Sequence, residues 1–178
     1  MGDRGPVNGS TPETDPGRDS RHRVIAWALV GLQALILVAL VLLPSGTSWK
    51  VGGAVSTLAA VLFWSGGALA VGAGLQLGLG LTALPLPSPR GRLVTGGLFA
   101  LARHPIYTGV ILLSAGIALR SANPVKVLLV VALTVFFAFK ARWEERRLVE
   151  AYGGYAEYAA RTGRFVPGLG RLRPGGHT

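Results

Sequence analysis

Arg103-His104-Pro105-Ile106-Tyr107 and Glu144-Glu145 are the residues of this 178-residue chain whose types and spacing best suit chemistry. The first group opens an apolar run at 106–122, and the second follows an apolar run at 125–139. Between Ser20 and Trp143 there is no Asp or Glu, so the Glu pair is the first negative charge after the N-terminal tail. Asn123-Pro124 separates the two runs, and the residue before a proline is pushed out of the α region. The runs therefore read as an antiparallel hairpin that returns residue 140 to the side where residue 105 began. A cationic motif and the nearest carboxylates then meet at one membrane face, which suits a ligand carrying both signs of charge. Pro105 falls at the first position of a helix, where its missing amide hydrogen costs nothing. That helix start offers backbone N–H groups and the positive end of a dipole to a small carboxylate or phosphate.

Each of these features also has an ordinary explanation. Arg103 and His104 could meet lipid headgroups. Lys140 with Glu144 and Arg142 with Glu145 are helical i,i+4 and i,i+3 pairs, which stabilise by about 0.2–0.5 kcal/mol. Placement favours the ligand reading for the glutamates, because anionic side chains just inside an anionic membrane are unhelpful unless they hold something cationic. Gly66, Ala70, Gly74 and Gly78 recur every four residues and read as a small-residue face for close helix packing. Gly72-Ala73-Gly74 could let a cofactor approach the backbone, but a lone GxG is a weak signal. Trp27, Trp49 and Trp143 lie near the expected interfaces as belt anchors. Tyr152, Tyr155 and Tyr158 read as packing and interface residues, with the alternative that one of them faces a ligand.

The elements that position these residues are apolar. Half of the chain is hydrophobic and its mean hydropathy is +0.47. Apolar segments at 24–43, 51–79, 106–122 and 125–139 predict an all-α integral membrane fold with about four transmembrane helices. At the helical rise the last two are about 26 and about 22 Å long, a short third and fourth helix forming the hairpin. From Lys140 to Arg161 the charged sequence with Trp143, Leu148 and the tyrosines predicts an amphipathic helix at the cytoplasmic interface. Residues 1–22 are expected to be a disordered tail, 23–169 the membrane domain and 170–178 a flexible tail. The proline-rich stretch 84–92 is an irregular connection.

The net charge of +10 is distributed unevenly. Four Lys and Arg fall in the N-terminal tail, three between 85 and 105 and eight from Lys140 onward, against Lys50, Arg120 and Lys126 in the opposite loops. This is the positive-inside pattern, with both termini cytoplasmic in a multi-pass protein of the cell membrane that also attracts anionic lipid. No aromatic-interleaved basic stripe points to nucleic acid. The first apolar run is longer than the core of a cleaved signal peptide. The absence of cysteine excludes disulfides and thiolate chemistry. His22, His104 and His177 are too scattered for a metal constellation.

The chain also resembles a known family. Residues 93–109 (LVTGGLFALARHPIYTG), the Glu-Glu-Arg-Arg-Leu that starts at Glu144, the later Tyr-Gly-Gly-Tyr-Ala-Glu-Tyr and Arg-Phe-Val-Pro together resemble isoprenylcysteine carboxyl methyltransferases and the related phospholipid methyltransferases. The resemblance covers about residues 84–169 in the family's order and spacing. It implies an integral membrane enzyme using S-adenosylmethionine, whose carboxylate needs N–H donors or Arg and whose ammonium and sulfonium need carboxylates or aromatic faces. By resemblance Leu93, Val94, Phe99, His104, Pro105, Ile106, Tyr107 and Glu144 border the cofactor, and Lys140 stands where the family places a cation for the substrate. Phe99 replaces a usual Tyr. Lys140 stands where eukaryotic members carry Arg, so a bidentate grip on a carboxylate is lost.

The expected reaction is methyl transfer to a lipophilic substrate, a carboxylate first among the acceptors. An ionised carboxylate needs no base, whereas an amine or thiol would need one, and His104 or Glu145 would serve. Arg103, His104 and Glu145 are thus the candidate catalytic residues. An NADPH-dependent sterol-type membrane reductase is the alternative enzyme, since its C-terminal half carries a similar hairpin. A small cation exporter would need a carboxylate within a span, and none of the four spans contains one. A non-catalytic relative that keeps only the fold is the remaining alternative.

Overall fold

The computed structural model describes residues 16–78 and 93–172, with side chains from Val24 onward. Its elements are α1 (Pro16–Leu42), α2 (Gly53–Leu77), the single turn α3 (Leu98–Leu101), α4 (Pro105–Arg120), α5 (Pro124–Ala151) and α6 (Tyr155–Arg161). Val24–Leu42 of α1, all of α2 and all of α5 are long and apolar enough to cross a membrane, and α4 is a shorter apolar helix. Large apolar side chains such as Trp27, Leu35, Trp64, Leu75 and Phe139 stay exposed along these helices. A lipid-facing surface has that character, because hydrocarbon does not drive apolar groups inward.

Three boundaries differ from the expected ones. The backbone of α1 is helical from Pro16, so the last part of the tail expected at 1–22 belongs to the helix. The fourth helix does not end at Phe139 but runs unbroken through Glu144 and Glu145 to Ala151. The helix expected over 140–161 is therefore two pieces, the end of α5 and the separate α6, broken where Tyr152 turns extended ahead of Gly153-Gly154. The connection at 84–92 lies outside the described residues.

The helix α4 is central: it packs on α2, α5, α1 and α3. The seam with α2 depends on missing side chains. A Cβ at Gly66 would fall 2.4 Å from the Leu113 nitrogen, one at Gly109 would fall 2.6 Å from the Ala70 nitrogen, and one at Gly116 would fall 2.6 Å from the Ala59 oxygen. Gly66 and Ala70 thus form the expected small-residue face, and Gly78 instead caps α2 at φ 53°, its N–H donating to the Gly74 carbonyl. Gly72 faces the Leu98 side chain, which absorbs the lone GxG into packing.

The turn between α4 and α5 is tied to the loop after α1. Asn123 caps α5 by accepting from the Val125 N–H (2.9 Å) and donates to the Pro44 carbonyl (2.9 Å). The N–H groups of Gly46 and Ser48 donate to the Ser121 and Ala122 carbonyls, and the Trp49 indole donates to the Leu119 carbonyl at 3.0 Å. The hairpin is fixed at this end, so its open end carries the residues with chemistry.

Candidate active site at the open end of the hairpin

The open end is built by three segments that are remote in sequence. A break in hydrogen bonding at Ala102 to His104 lets the chain run alongside residues 163–164: the Arg103 N–H donates to the Gly163 carbonyl (2.9 Å) and the His104 N–H to the Arg164 carbonyl (3.0 Å). Pro105 then starts α4, as its ring allows at a first helical position. The Thr108 hydroxyl adds a bond to the Phe165 carbonyl at 2.8 Å. From the other side α5, at about 42 Å for its length, exceeds the roughly 30 Å hydrocarbon layer and carries its glutamates past it.

Glu145 is the hub of this end. Its side chain is nearly inaccessible and accepts from Arg103 Nε (3.0 Å), from Arg164 Nε and Nη2 (3.0 and 2.8 Å), and lies 3.1 Å from His104 Nε2. Arg103 is equally enclosed, its remaining donors going to the carbonyls of Ala159, Thr162 and Gly170. Glu145 and its two arginines thus clasp α5, the start of α4 and the C-terminal segment together. Charge-assisted bonds from a guanidinium fork are the strong kind, and their geometry holds all three segments in one register.

Glu144 has a different environment. It accepts from the Tyr107 hydroxyl at 3.0 Å, keeps 24% of its side chain exposed, and lies 3.7 Å from His104 Nδ1. The Tyr107 ring is sandwiched between His104 (centroids 5.2 Å apart, 5° between planes) and the buried Phe137 (4.5 Å, 3°). The Lys140 ammonium lies 5.4 Å from the Tyr107 ring centre and donates to Gln33 Oε1 of α1 at 2.7 Å. Neither expected intrahelical pair, Lys140 with Glu144 or Arg142 with Glu145, forms as a salt bridge among the described residues.

Other residues singled out by sequence surround this core. Phe99 is buried in α3, and its carbonyl accepts from the Tyr158 hydroxyl. Leu93 and Val94 are half-buried in irregular backbone rather than a strand, and Leu93 packs on Tyr155, Tyr158 and Ala159. Ile106 is half-buried, and no side chain caps the first turn of α4. The N–H groups of Ile106 and Tyr107 are the ones helix geometry leaves without an intrahelical acceptor. Burial pushes the Tyr158 hydroxyl up to about 12, with the Glu145 charge reinforcing and the Arg103 charge opposing it. Tyr155 is raised too, chiefly by burial and then by Glu145. The fold thus brings Arg103, His104, Tyr107, Lys140, Glu144 and Glu145, all singled out in the sequence, to one place. Sequence reasoning misses Arg164, which appears only as part of the Arg-Phe-Val-Pro stretch, and it misses Gln33, an isolated polar residue in an apolar run.

Comparison with known proteins gives a consistent relationship. The phospholipid methyltransferase family model matches residues 55–154, more than half of the chain. The chain is 32% identical over 156 residues to the cobalt-zinc-cadmium resistance protein CzcN of Cupriavidus metallidurans, covering 86% of this chain and 68% of that protein. It is 36% and 39% identical to the protein-S-isoprenylcysteine O-methyltransferases B and A of Arabidopsis thaliana, over 43% and 42% of its length. It spans only 40% and 39% of those two proteins. The fold is that of the eukaryotic intramembrane Ras methyltransferase ICMT (isoprenylcysteine carboxyl methyltransferase), with a TM-score of 0.63 at 23% identity over 91% of this chain and 56% of the other.

Proposed function

The chain belongs to the phospholipid methyltransferase family, as an isoprenylcysteine methyltransferase-like membrane enzyme, and from that premise we propose that it uses S-adenosylmethionine at the open end of the hairpin to methylate a lipophilic acceptor. O-methylation of a carboxylate is the reaction this site suits best. The observation that carries the reading is the division of labour in the glutamate pair. Glu145 is neutralised by Arg103 and Arg164, while Glu144 keeps an accessible carboxylate held by the Tyr107 hydroxyl.

The residues present fit the cofactor by donor and acceptor chemistry. Glu144 takes its ammonium, the uncapped first turn of α4 at Pro105, Ile106 and Tyr107 takes its carboxylate, and the sides of Leu93, Val94, Phe99 and His104 border it. When bound, S-adenosylmethionine supplies a methyl group made electrophilic by its sulfonium. Lys140, held by Gln33 and set over the Tyr107 face, attracts and orients an acceptor carboxylate. Such an acceptor is ionised at neutral pH, so the protein contributes alignment and exclusion of water rather than a base. For an amine or thiol acceptor His104 is the base, with Glu145 fixing its Nε2 side and Arg103 holding Glu145. A substrate with a hydrocarbon tail enters from the lipid, its head meeting the site where α5 leaves the membrane. The positive-inside charge pattern puts that site, and both termini, on the cytoplasmic side of the cell membrane.

Isotope-labelled S-adenosylmethionine and a lipid extract test this with purified protein. Base-labile label released as methanol identifies a methyl ester, and base-stable label identifies an amine or thioether product. Glu144→Ala removes a charge-assisted hydrogen bond of about 1.5–3 kcal/mol, so cofactor binding is expected to weaken about tenfold or more. Unchanged binding in that variant, or no binding by the parent protein, overturns the proposal.

A further inference from the structure

The end of the bundle opposite Glu144 and Glu145 holds a cationic cleft that methyl transfer does not use. It has a volume of about 780 Å³ and is walled by α2, the last turn of α4, the first turn of α5 and the loop after α1. Lys126 and Arg120 both line it. Lys126 is only 5% exposed, yet among the described residues its ammonium has no hydrogen-bond or ion-pair partner. Its stem is enclosed while its ammonium opens to the cleft, a cation held in place with nothing among the described residues to neutralise it. Among the described residues no carboxylate stands at this end: after Asp19, at the far end of α1, the next is Glu144 at the open end of the hairpin. The start of α5 adds the positive end of a helix dipole beside Lys126.

We propose that this cleft binds the phosphate headgroup of an anionic membrane lipid, with Lys126 and Arg120 as its cationic seat. A lipid suits the cleft better than a free anion because of what lies below the charges. From Ser56 the wall continues along α2 through Ala59 and Ala60 to Phe63 and the exposed Trp64, a descent of about 12 Å. That is an apolar track for the first part of an acyl chain. The Ser56 hydroxyl, which has no partner among the described residues, stands at the head of the track as a donor for a phosphate oxygen. The loop that closes the cleft is held by Asn123, Gly46 and Trp49, so the seat exists before the lipid arrives.

Native mass spectrometry of the full chain released from mixed micelles tests the proposal, with dioleoylphosphatidylglycerol and dioleoylphosphatidylcholine as the probes. One phosphatidylglycerol is expected to be retained in preference to phosphatidylcholine. Loss of one charge-assisted contact should weaken that retention about tenfold in Lys126→Gln and in Arg120→Gln. Lys126→Arg should keep it, and so should Lys50→Gln, which removes an exposed cation of the same loop after α1 that is not itself among the lining residues. Arg120 is exposed, so Arg120→Gln carries the test alone if Lys126→Gln does not fold. Thermal stabilisation by inorganic phosphate equal to that by the lipid would reassign the cleft to a free anion and overturn the lipid claim. Equal retention of the two lipids would overturn it too, as would equal loss in Lys50→Gln and Arg120→Gln.

Discussion

Glu144 and Glu145 are adjacent in sequence, but successive helical residues point about 100° apart, and that angle separates their duties. Glu145 turns inward to two arginines and a histidine; Glu144 turns to Tyr107 and the surface. Removing Glu145 would leave Arg103 enclosed with no counter-charge, so Glu145→Ala is expected to cost about 3–5 kcal/mol of stability. Glu144→Gln should leave stability within about 1 kcal/mol and lower cofactor affinity. Unfolding in detergent, monitored by circular dichroism alongside cofactor binding, separates the two outcomes. Tyr158 makes a third prediction. Its unfolded hydroxyl titrates near 10.0 and its folded one at about 12, so the unfolded state loses its proton first. The stability that Tyr158 contributes is complete below pH 10 and lost as pH rises toward 12. Tyr158→Phe should therefore make the alkaline loss of stability shallower, read from unfolding midpoints across that range. The chemistry-bearing residues themselves were readable from the sequence, because charge is rare in an apolar chain. The split within the glutamate pair was not, because it depends on which side of α5 the C-terminal segment occupies.

The helices were readable where hydrophobicity is continuous. The misread boundary at Phe139 has a clear cause: apolar character ends there, but helical character does not. Lys, Ala, Arg, Glu and Leu dominate the next twelve residues, all good helix formers, and nothing breaks the helix before Gly153-Gly154. Polarity marks where a helix leaves the membrane, and only a breaker marks where it ends. The sequence predicts a small-residue face on α2 but not its partner, and Gly109 and Gly116 of α4 are recognisable only with the two helices set against each other. A methyl group at Gly109 meets backbone that cannot yield, so Gly109→Ala is expected to destabilise by about 1–3 kcal/mol. Gly67→Ala, whose Cβ would meet only the Leu113 side chain at 3.7 Å, should be tolerated. Unfolding curves of the two variants in the same detergent provide the comparison.

At the scale of the whole molecule, the C-terminal segment closes the site. It delivers Arg164 to Glu145, lends the Gly163, Arg164 and Phe165 carbonyls to the start of α4, and ties the Leu172 N–H to the Ala159 carbonyl. A chain ending at Arg161 would keep every apolar helix and is expected to insert in the membrane, yet to lose cofactor binding, with Arg103 stripped of its outer carbonyls. Membrane fractionation together with labelled-cofactor binding checks both halves of that expectation. The sequence by itself determined that this is a helical membrane protein with a hairpin bearing cations at one end and glutamates at the other. Those properties follow from local hydrophobicity, proline and the scarcity of charge. Only the tertiary structure decided which glutamate is enclosed, that Arg164 and Gln33 belong to the site, and that Lys126 has no partner among the described residues at the far end. Such contacts join segments separated by tens of residues, and no local preference encodes which of several distant partners a side chain will meet.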